Sequence, residues 1–334
     1  MQEFIIQENE AGQRLDKYLM KKLNQAPASF FYKMLRKKNI LRNGRRADGS
    51  EKLQKGDSVK LFLSDETIAK FSGPAVEPEL LSRRYPVTDL DILYEDNDIL
   101  VINKPAGMLS QKARPEDISA NEYIIGYLLA QNKITPQELS TFKPSICNRL
   151  DKNTTGILIA GKSLRGLQTM AEQLKRRDVG KYYCCLVAGD VREAKEIDGW
   201  LTKDEKSNKV TVQEFSDEKA SCIRTAYRPL QHFQSVRKSY TLLSVHLITG
   251  RSHQIRAHLA FIGHPIVGDS KYGDRAVNAF FYKSCGVKSQ LLHARRMEFP
   301  DGRIVEAPLP EIFAKTIHYL EEGTHHELIH HASR

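Results

Sequence analysis

Nowhere in the 334 residues do about 18 apolar positions run uninterrupted. The opening stretch, MQEFIIQENEAGQRLDKYL, shows no basic start followed by an apolar segment. Both absences argue against a membrane span and a secretory leader, and the expectation is a soluble cytoplasmic protein. Cysteine is sparse. The five residues Cys147, Cys184, Cys185, Cys222 and Cys285 are odd in number and show no Cys-x-x-Cys spacing, so neither a disulfide framework nor a zinc site is signalled. Buried free thiols are the plainer reading. Acidic residues are also short: 41 Asp and Glu face 51 Lys and Arg, a net charge of +10. Such an imbalance favours polyanionic partners, nucleic acid first and an anionic membrane second.

What is present suffices for a packed core, since 40% of the residues are hydrophobic and 28% charged. The length points to two domains, because a single core rarely serves much beyond about 250 to 300 residues. Leu15, Tyr18, Leu19 and Leu23 follow helical spacing, and Phe30, Phe31, Met34 and Leu35 repeat it on a second short helix. A strand at Ile40-Leu41, a turn at Asn43-Gly44 and an alternating strand from Val59 to Leu63 complete a small helix-helix-strand module, expected to span residues 1–66. Between residues 31 and 60 ten basic residues stand against three acids. Lys33, Arg36, Lys37, Lys38, Arg42, Arg45 and Arg46 are the candidates for binding phosphate. A charge run alone fits a solvated face equally well.

Residues 67–89, with Pro74, Pro78 and Pro86 and no sustained apolar period, read as a linker. A second domain, 90–322, opens with a hairpin of Ile92-Leu93-Tyr94 and Ile99 to Ile102. Ile157 to Ala160 reads as a buried strand, and Leu164, Leu167, Ala171 and Leu174 mark an amphipathic helix with basic residues in its last turn. Tyr182 to Val187 and Thr241 to Leu247 read as strands, the latter breaking at Thr249-Gly250 into a helix striped by Ile255, Leu259 and Ile262. Periodicity leaves the class open between α+β and α/β. The last residues, 323–334, are histidine-rich and read as a disordered polar tail able to hold a metal adventitiously.

The most unusual segment is Asn148-Arg149-Leu150-Asp151-Lys152-Asn153-Thr154-Thr155-Gly156, a polar loop that sets one carboxylate between two cations and leads into an apolar strand. Cations beside Asp151 favour its carboxylate form, suited to a nucleophile or base. Taken alone, the loop fits an ordinary surface Asp-Arg pair as well.

The loop resembles the catalytic loop of the RluA-type pseudouridine synthases, usually His-Arg-Leu-Asp, two residues, then Thr-Ser-Gly. Further segments resemble that family in order: Leu93 to Met108, Lys181 to Tyr183, Thr249 to Leu259, Gly263 to Gly273 and Leu291 to Ala294. Residues 13–63 similarly resemble the RNA-binding domain of the ribosomal protein S-four type. The resemblance implies an α+β chain: an S4-like module, then a mixed, mainly antiparallel sheet with flanking helices. It implies an enzyme that isomerises uridine in structured RNA, ribosomal RNA before transfer RNA, and that requires neither metal nor nucleotide. Asp151 would be the nucleophile, Tyr183 the active-site tyrosine and Arg256 the partner of the aspartate. Arg251 would be a second choice for that partner or would bind a phosphate, and Arg149 would fill the gap left by a flipped base or bind a phosphate. The departures are Asn148 for His, Thr155 for Ser, and Ser110-Gln111-Lys112 where Val-His-Pro is usual.

Other classes are weaker. A non-catalytic RNA-binding or ribosome-assembly protein would leave the Asp151 constellation idle. A zinc hydrolase using His253, His258 and His264 meets the wrong spacing, because His253 and His258 stand about 140° apart on a helix. A glycosidase needs a second carboxylate, and none stands out.

Overall fold

The computed structural model describes residues 1–72, 78–204, 209–218, 220–234 and 238–332, the side chains of residue 78 and of 323–332 excepted. The chain separates into two units, one made of residues 1–101, 110–149 and 158–172, the other of 102–109, 150–157 and 173–334.

In the first unit, β1 (Gln2–Ile5), α1 (Leu15–Lys22), α2 (Ala28–Arg36), β2 (Ile40–Arg42), β3 (Arg45–Arg46) and β4 (Ser58–Leu61) form the N-terminal module. Its antiparallel sheet has the order β1-β4-β2-β3. The helical stripes land inside: Leu15, Tyr18, Leu19, Leu23, Phe31, Met34 and Leu35 are buried together with Ile40, Val59 and Leu61. Asn43 and Gly44 both take positive φ, 50° and 72°, as a two-residue hairpin with the twist of its strands requires.

The stretch expected as linker holds two short helices, α3 (Asp65–Phe71) and α4 (Pro78–Arg84); Pro74 lies outside the described residues. Ser64 caps α3 by accepting from the Thr67 N–H at 3.3 Å. Ile68 enters the module's core and Phe71 packs against it, so α3 spans position 66, where the module was expected to end.

The same unit continues through β5 (Ile92–Glu95), the start of β6 (Ile99–Lys104), α5 (Ala120–Ala130), β7 (Ser145–Ile146), the end of β8 (Thr155–Gly161) and most of α6 (Leu164–Arg176). Polar links tie the module to residue 141. Buried Thr141 donates to Glu10 Oε1 at 2.6 Å, and Lys21 Nζ donates to the Thr141 carbonyl at 2.8 Å.

The second unit is built on β9 (Gly180–Ala188), β10 (Lys195–Asp204), β11 (Lys209–Gln213), β12 (Ser221–Gln234) and β13 (Ser239–Leu247), followed by α7 (Gln254–Phe261), α8 (Arg275–Cys285), β14 (Leu292–Glu298), β15 (Ile304–Glu306) and α9 (Glu311–Ala332). The order β11-β10-β12-β13-β9-β14 is antiparallel throughout, and β15 adds to β14 antiparallel. Thr155 and Gly156 at the head of β8 pair with His293 and Ala294 in parallel. The sheet is therefore mixed and mainly antiparallel, and the class is α+β.

Register decides which side chains reach which face. Tyr227, Val245 and Tyr183 are cross-strand partners and share one face. On that face Ala257 of α7 packs with Ile223. A bulge between Pro229 and Gln231 then turns Phe233 to the other face, where Cys184, Leu186 and Leu242 pack with Phe281 of α8 and with Phe313 and Leu320 of α9. The backbone of the segment expected to be a disordered tail continues α9 through Ala332. Its histidine side chains lie outside the described residues.

Candidate active site

Gly156 anchors the end of the polar loop. Its φ is +105°, and a Cβ there would lie 2.2 Å from the Ala294 carbonyl oxygen, so the β8–β14 approach demands glycine. Thr155 Oγ1 lies 2.8 Å from His293 Nδ1. His293 is fully buried, and burial pushes it down to about 4, so the ring is neutral at pH 7. Gln290 Nε2 donates to Thr154 Oγ1 at 3.3 Å.

The other side of the loop is tied by Lys104 at the end of β6. Its ammonium has no exposed surface and donates to the carbonyls of Pro105 (2.9 Å), Met108 (2.9 Å) and Lys152 (3.0 Å). Burial pushes Lys104 down to about 8, against the pull of the Asp151 charge. The Gly107 N–H adds a bond of 3.0 Å to the same Lys152 carbonyl. The Asp151 backbone is thereby fixed one residue away.

The Asp151 carboxylate is 24% exposed and meets α7. Arg256 Nη1 donates to Asp151 Oδ2 at 2.8 Å. The same guanidinium gives Nε and Nη2 to Asp269, at 2.6 and 2.9 Å. Burial opposes the charge on Arg256, but the hydrogen bonds and charges of Asp269 and Asp151 hold it above its ordinary range. Burial likewise works against the Asp269 carboxylate. Arg256 and the N–H groups of Lys271 and Tyr272 nevertheless keep it below the usual carboxylate range. Tyr272 lays its ring against the guanidinium, 5.3 Å from centroid to Cζ.

Tyr183 is buried on the α7 face, and its phenol is raised by burial first and by the charge of Asp151 second. His253 precedes α7 in the left-handed conformation, φ 54° and ψ 15°. Such a conformation costs a non-glycine residue about 1–2 kcal/mol and is retained where the surroundings fix it. Its ring lies 2.9 Å from Tyr272 Oη through Nδ1 and 3.9 Å from Asp151 Oδ1 through Nε2.

The structure thus brings Asp151, Tyr183 and Arg256 together. Arg251 is exposed in the turn before α7, and Arg149 is exposed in the first unit. Asn148, which replaces the usual histidine, accepts from the Ile159 N–H at 2.8 Å and so serves the backbone. In the N-terminal module Lys33, Arg36, Lys37, Lys38, Arg45 and Arg46 are exposed. Arg42 differs, because its guanidinium is committed to the buried Asp57, with Nη2 at 2.8 Å from Oδ2. The histidines weighed as zinc ligands go separate ways: His258 Nδ1 lies 3.1 Å from Thr225 Oγ1, and His264 Nδ1 lies 3.2 Å from the Ala188 carbonyl.

Asp269, His253 and Tyr272 received no role from the sequence. Their signal was the pair of segments Thr249 to Leu259 and Gly263 to Gly273, whose polar residues converge on Arg256 only once folded.

Chemically, the arrangement offers a carboxylate with one oxygen tied and the other turned toward an imidazole, beside a phenol, in a site that suits attack on an electron-poor ring or sugar carbon. The model of the family described as RNA pseudouridylate synthase matches residues 98–261. A ribosomal large subunit pseudouridine synthase C of Haemophilus ducreyi is 32% identical over 92% of this chain and 90% of its own length. An uncharacterized RNA pseudouridine synthase of Bacillus subtilis, YlyB, is 30% identical over 95% of this chain and 97% of its own. Among solved structures, human RNA pseudouridylate synthase domain containing 4 superposes with a TM-score of 0.56 at 24% identity, covering 69% of this chain and 93% of that one, a likeness of fold. With its ordered motifs, its mixed sheet and relatives that match it nearly end to end, the chain belongs to the RNA pseudouridylate synthase family.

Proposed function

We propose that this pseudouridine synthase modifies large-subunit ribosomal RNA, with Asp151 as its nucleophile. The observation that carries the assignment is the Asp151 carboxylate held through Oδ2 by Arg256 at 2.8 Å, with Tyr183 raised by burial first and by the charge of Asp151 second. The uridine is flipped out of its helix at a cost of a few kcal/mol, and Asp151 forms a covalent bond to its base or ribose. The N1 glycosidic bond breaks, the uracil turns, C5 bonds to the same ribose carbon, and the bond to Asp151 breaks to return the free carboxylate. C5 releases a proton and N1 takes one, so the change is an isomerisation. Tyr183 stacks on the uracil and Arg256 holds the carboxylate. Arg149 fills the vacated stack or binds a phosphate, and Arg251 meets the RNA backbone.

The support for ribosomal RNA is the naming of relatives such as the Haemophilus ducreyi enzyme as large subunit synthases, together with the basic N-terminal module. We read that module as S4-like, with Lys33, Arg36, Lys37, Lys38, Arg45 and Arg46 meeting phosphates and Arg42 bracing Asp57 just before β4. The same reading assigns the protein to the cytoplasm. Among the described residues no helix is long and apolar enough to cross a membrane. Carbodiimide-based pseudouridine mapping of total RNA from wild-type, deletion and Asp151→Ala cells tests the assignment. Loss of one or a few ribosomal sites in both altered strains is expected. A map that does not change overturns it.

A further inference from the structure

We infer that His253 is a positioning residue for Asp151, fixed by Tyr272 as the tautomer protonated on Nε2 so that its single N–H faces Asp151 Oδ1. The inference rests on Asp151 being the nucleophile.

Two neighbours set the tautomer independently. Tyr272 Oη accepts the Val210 N–H at 2.9 Å, and its own proton is then available to His253 Nδ1, at 2.9 Å. On the far side of the ring, Nε2 faces a carboxylate oxygen at 3.9 Å, and a carboxylate only accepts. The proton on that side therefore belongs to Nε2. The chain of donors runs from the β11 backbone through Tyr272 and His253 to Asp151.

The consequence is a distinction between the two oxygens of Asp151. Oδ2 is tied to Arg256 at 2.8 Å, whereas Oδ1 stands 3.9 Å from His253, beyond hydrogen-bond length but within the field of its N–H. Oδ1 is the oxygen left to react, and His253 keeps the carboxylate turned to present it. The left-handed backbone at His253 holds the ring at that place. The charged and titratable groups around the pair are Asp151 on the polar loop, Arg256 on α7, Lys271, Asp269 and Tyr272 before α8, and Lys209 on β11 over the Tyr272 ring. Burial lowers His253 below its ordinary range; the charge of Asp151 pulls it back up, and that of Arg256 adds to the lowering.

Protonation of Nδ1 would set two donors against each other at Tyr272 and draw Oδ1 into an ion pair. Activity should thus fall on the acid side as His253 gains its second proton. The test is the single-turnover rate with excess full-length enzyme on total RNA from cells lacking the gene, labelled with tritium at uracil C5. Each isomerisation releases one tritium, whichever site is the substrate.

His253→Leu is expected to lose about tenfold or more near neutral pH, with RNA affinity unchanged. His253→Gln keeps an N–H toward Asp151 and should stay within about threefold of wild type while losing the acid limb. Tyr272→Phe removes the donor that favours neutral Nδ1 and should move the acid limb to higher pH. A wild-type rate for His253→Leu, or a wild-type acid limb in His253→Gln, overturns the inference. If His253→Leu has a lowered melting midpoint, His253→Gln and Tyr272→Phe decide alone. Asp151→Asn separates the premise: activity in that variant sinks the nucleophile itself, whereas an inactive Asp151→Asn beside an unaffected His253→Gln limb sinks only the role of His253.

Discussion

Asp269 takes two of the N–H edges of Arg256 and leaves one for Asp151, at 2.6, 2.9 and 2.8 Å respectively. The buried acid, with no exposed surface, is thus the stronger claimant on the arginine. Arg256 is not free to follow the Asp151 carboxylate, and its third N–H is delivered at a fixed place.

That division predicts opposite outcomes for the two acids. Asp269→Asn leaves the buried guanidinium with only the partly exposed Asp151 as its counter-charge, and breaking a buried pair costs about 3–5 kcal/mol. Urea unfolding should show that destabilisation together with a reduced rate. Asp151→Asn removes a partner at the site's open side and should leave the unfolding free energy within about 1 kcal/mol while abolishing activity. Equal destabilisation in the two variants would show that the pairs do not differ as the geometry requires.

Much of this site was legible because its residues sit in short segments: Asp151 between its cations, Tyr183 within Lys181 to Tyr183, and Arg256 within Thr249 to Leu259. The helices at Leu15 and Phe30 and the strand at Thr241 were legible from period alone. What was not legible is long-range. Nothing local marks Asp269 as the partner of an arginine thirteen residues earlier, since the loop between α7 and α8 must first turn back on the helix. Strand β1 pairs with β4 across more than fifty residues, and its four residues carry no alternation of their own. α3 was hidden by the prolines that follow it, although Ser64 and the acids after it formed a helix start.

Gly156→Ala tests the close approach of β8 to β14. The added Cβ meets the Ala294 carbonyl oxygen at 2.2 Å, and the φ of +105° suits no L side chain. Overpacking and the strained backbone should together cost about 3 kcal/mol or more. Denaturant unfolding measures it. A neutral substitution would mean that the strands separate at no cost.

His293 predicts a pH dependence of stability. Its folded value of about 4 lies below the 6.5 of an unrestrained imidazole. Between those values the unfolded chain binds a proton that the folded one refuses, so stability rises with pH across the window and is fully present above 6.5. As pH falls from 6.5 to about 4, the group withdraws about 3 kcal/mol. His293→Gln cannot titrate, and its unfolding free energy should lose this part of the slope. Parallel slopes for variant and wild type would place the titration elsewhere.

The basic face of the N-terminal module yields the last prediction. Lys37, Lys38, Arg45 and Arg46 are exposed, whereas Arg42 is spent on Asp57. Deleting the module would also strip Glu10 and Lys21 from Thr141 and so confound binding with folding. Substituting the four exposed cations by Gln leaves those hydrogen bonds in place. The plot of log affinity against log salt should flatten by about one unit for each phosphate that the variant no longer neutralises. Arg42→Gln should act differently: it removes one partner of the buried Asp57 carboxylate, which burial raises but the Gln54 N–H, Asn43 and Arg42 together hold below the usual range. Its effect should appear in the melting midpoint of the module with the salt slope kept. An unchanged slope in the fourfold variant would remove the phosphate-binding role from this face, and a flattened slope in Arg42→Gln would return that residue to it.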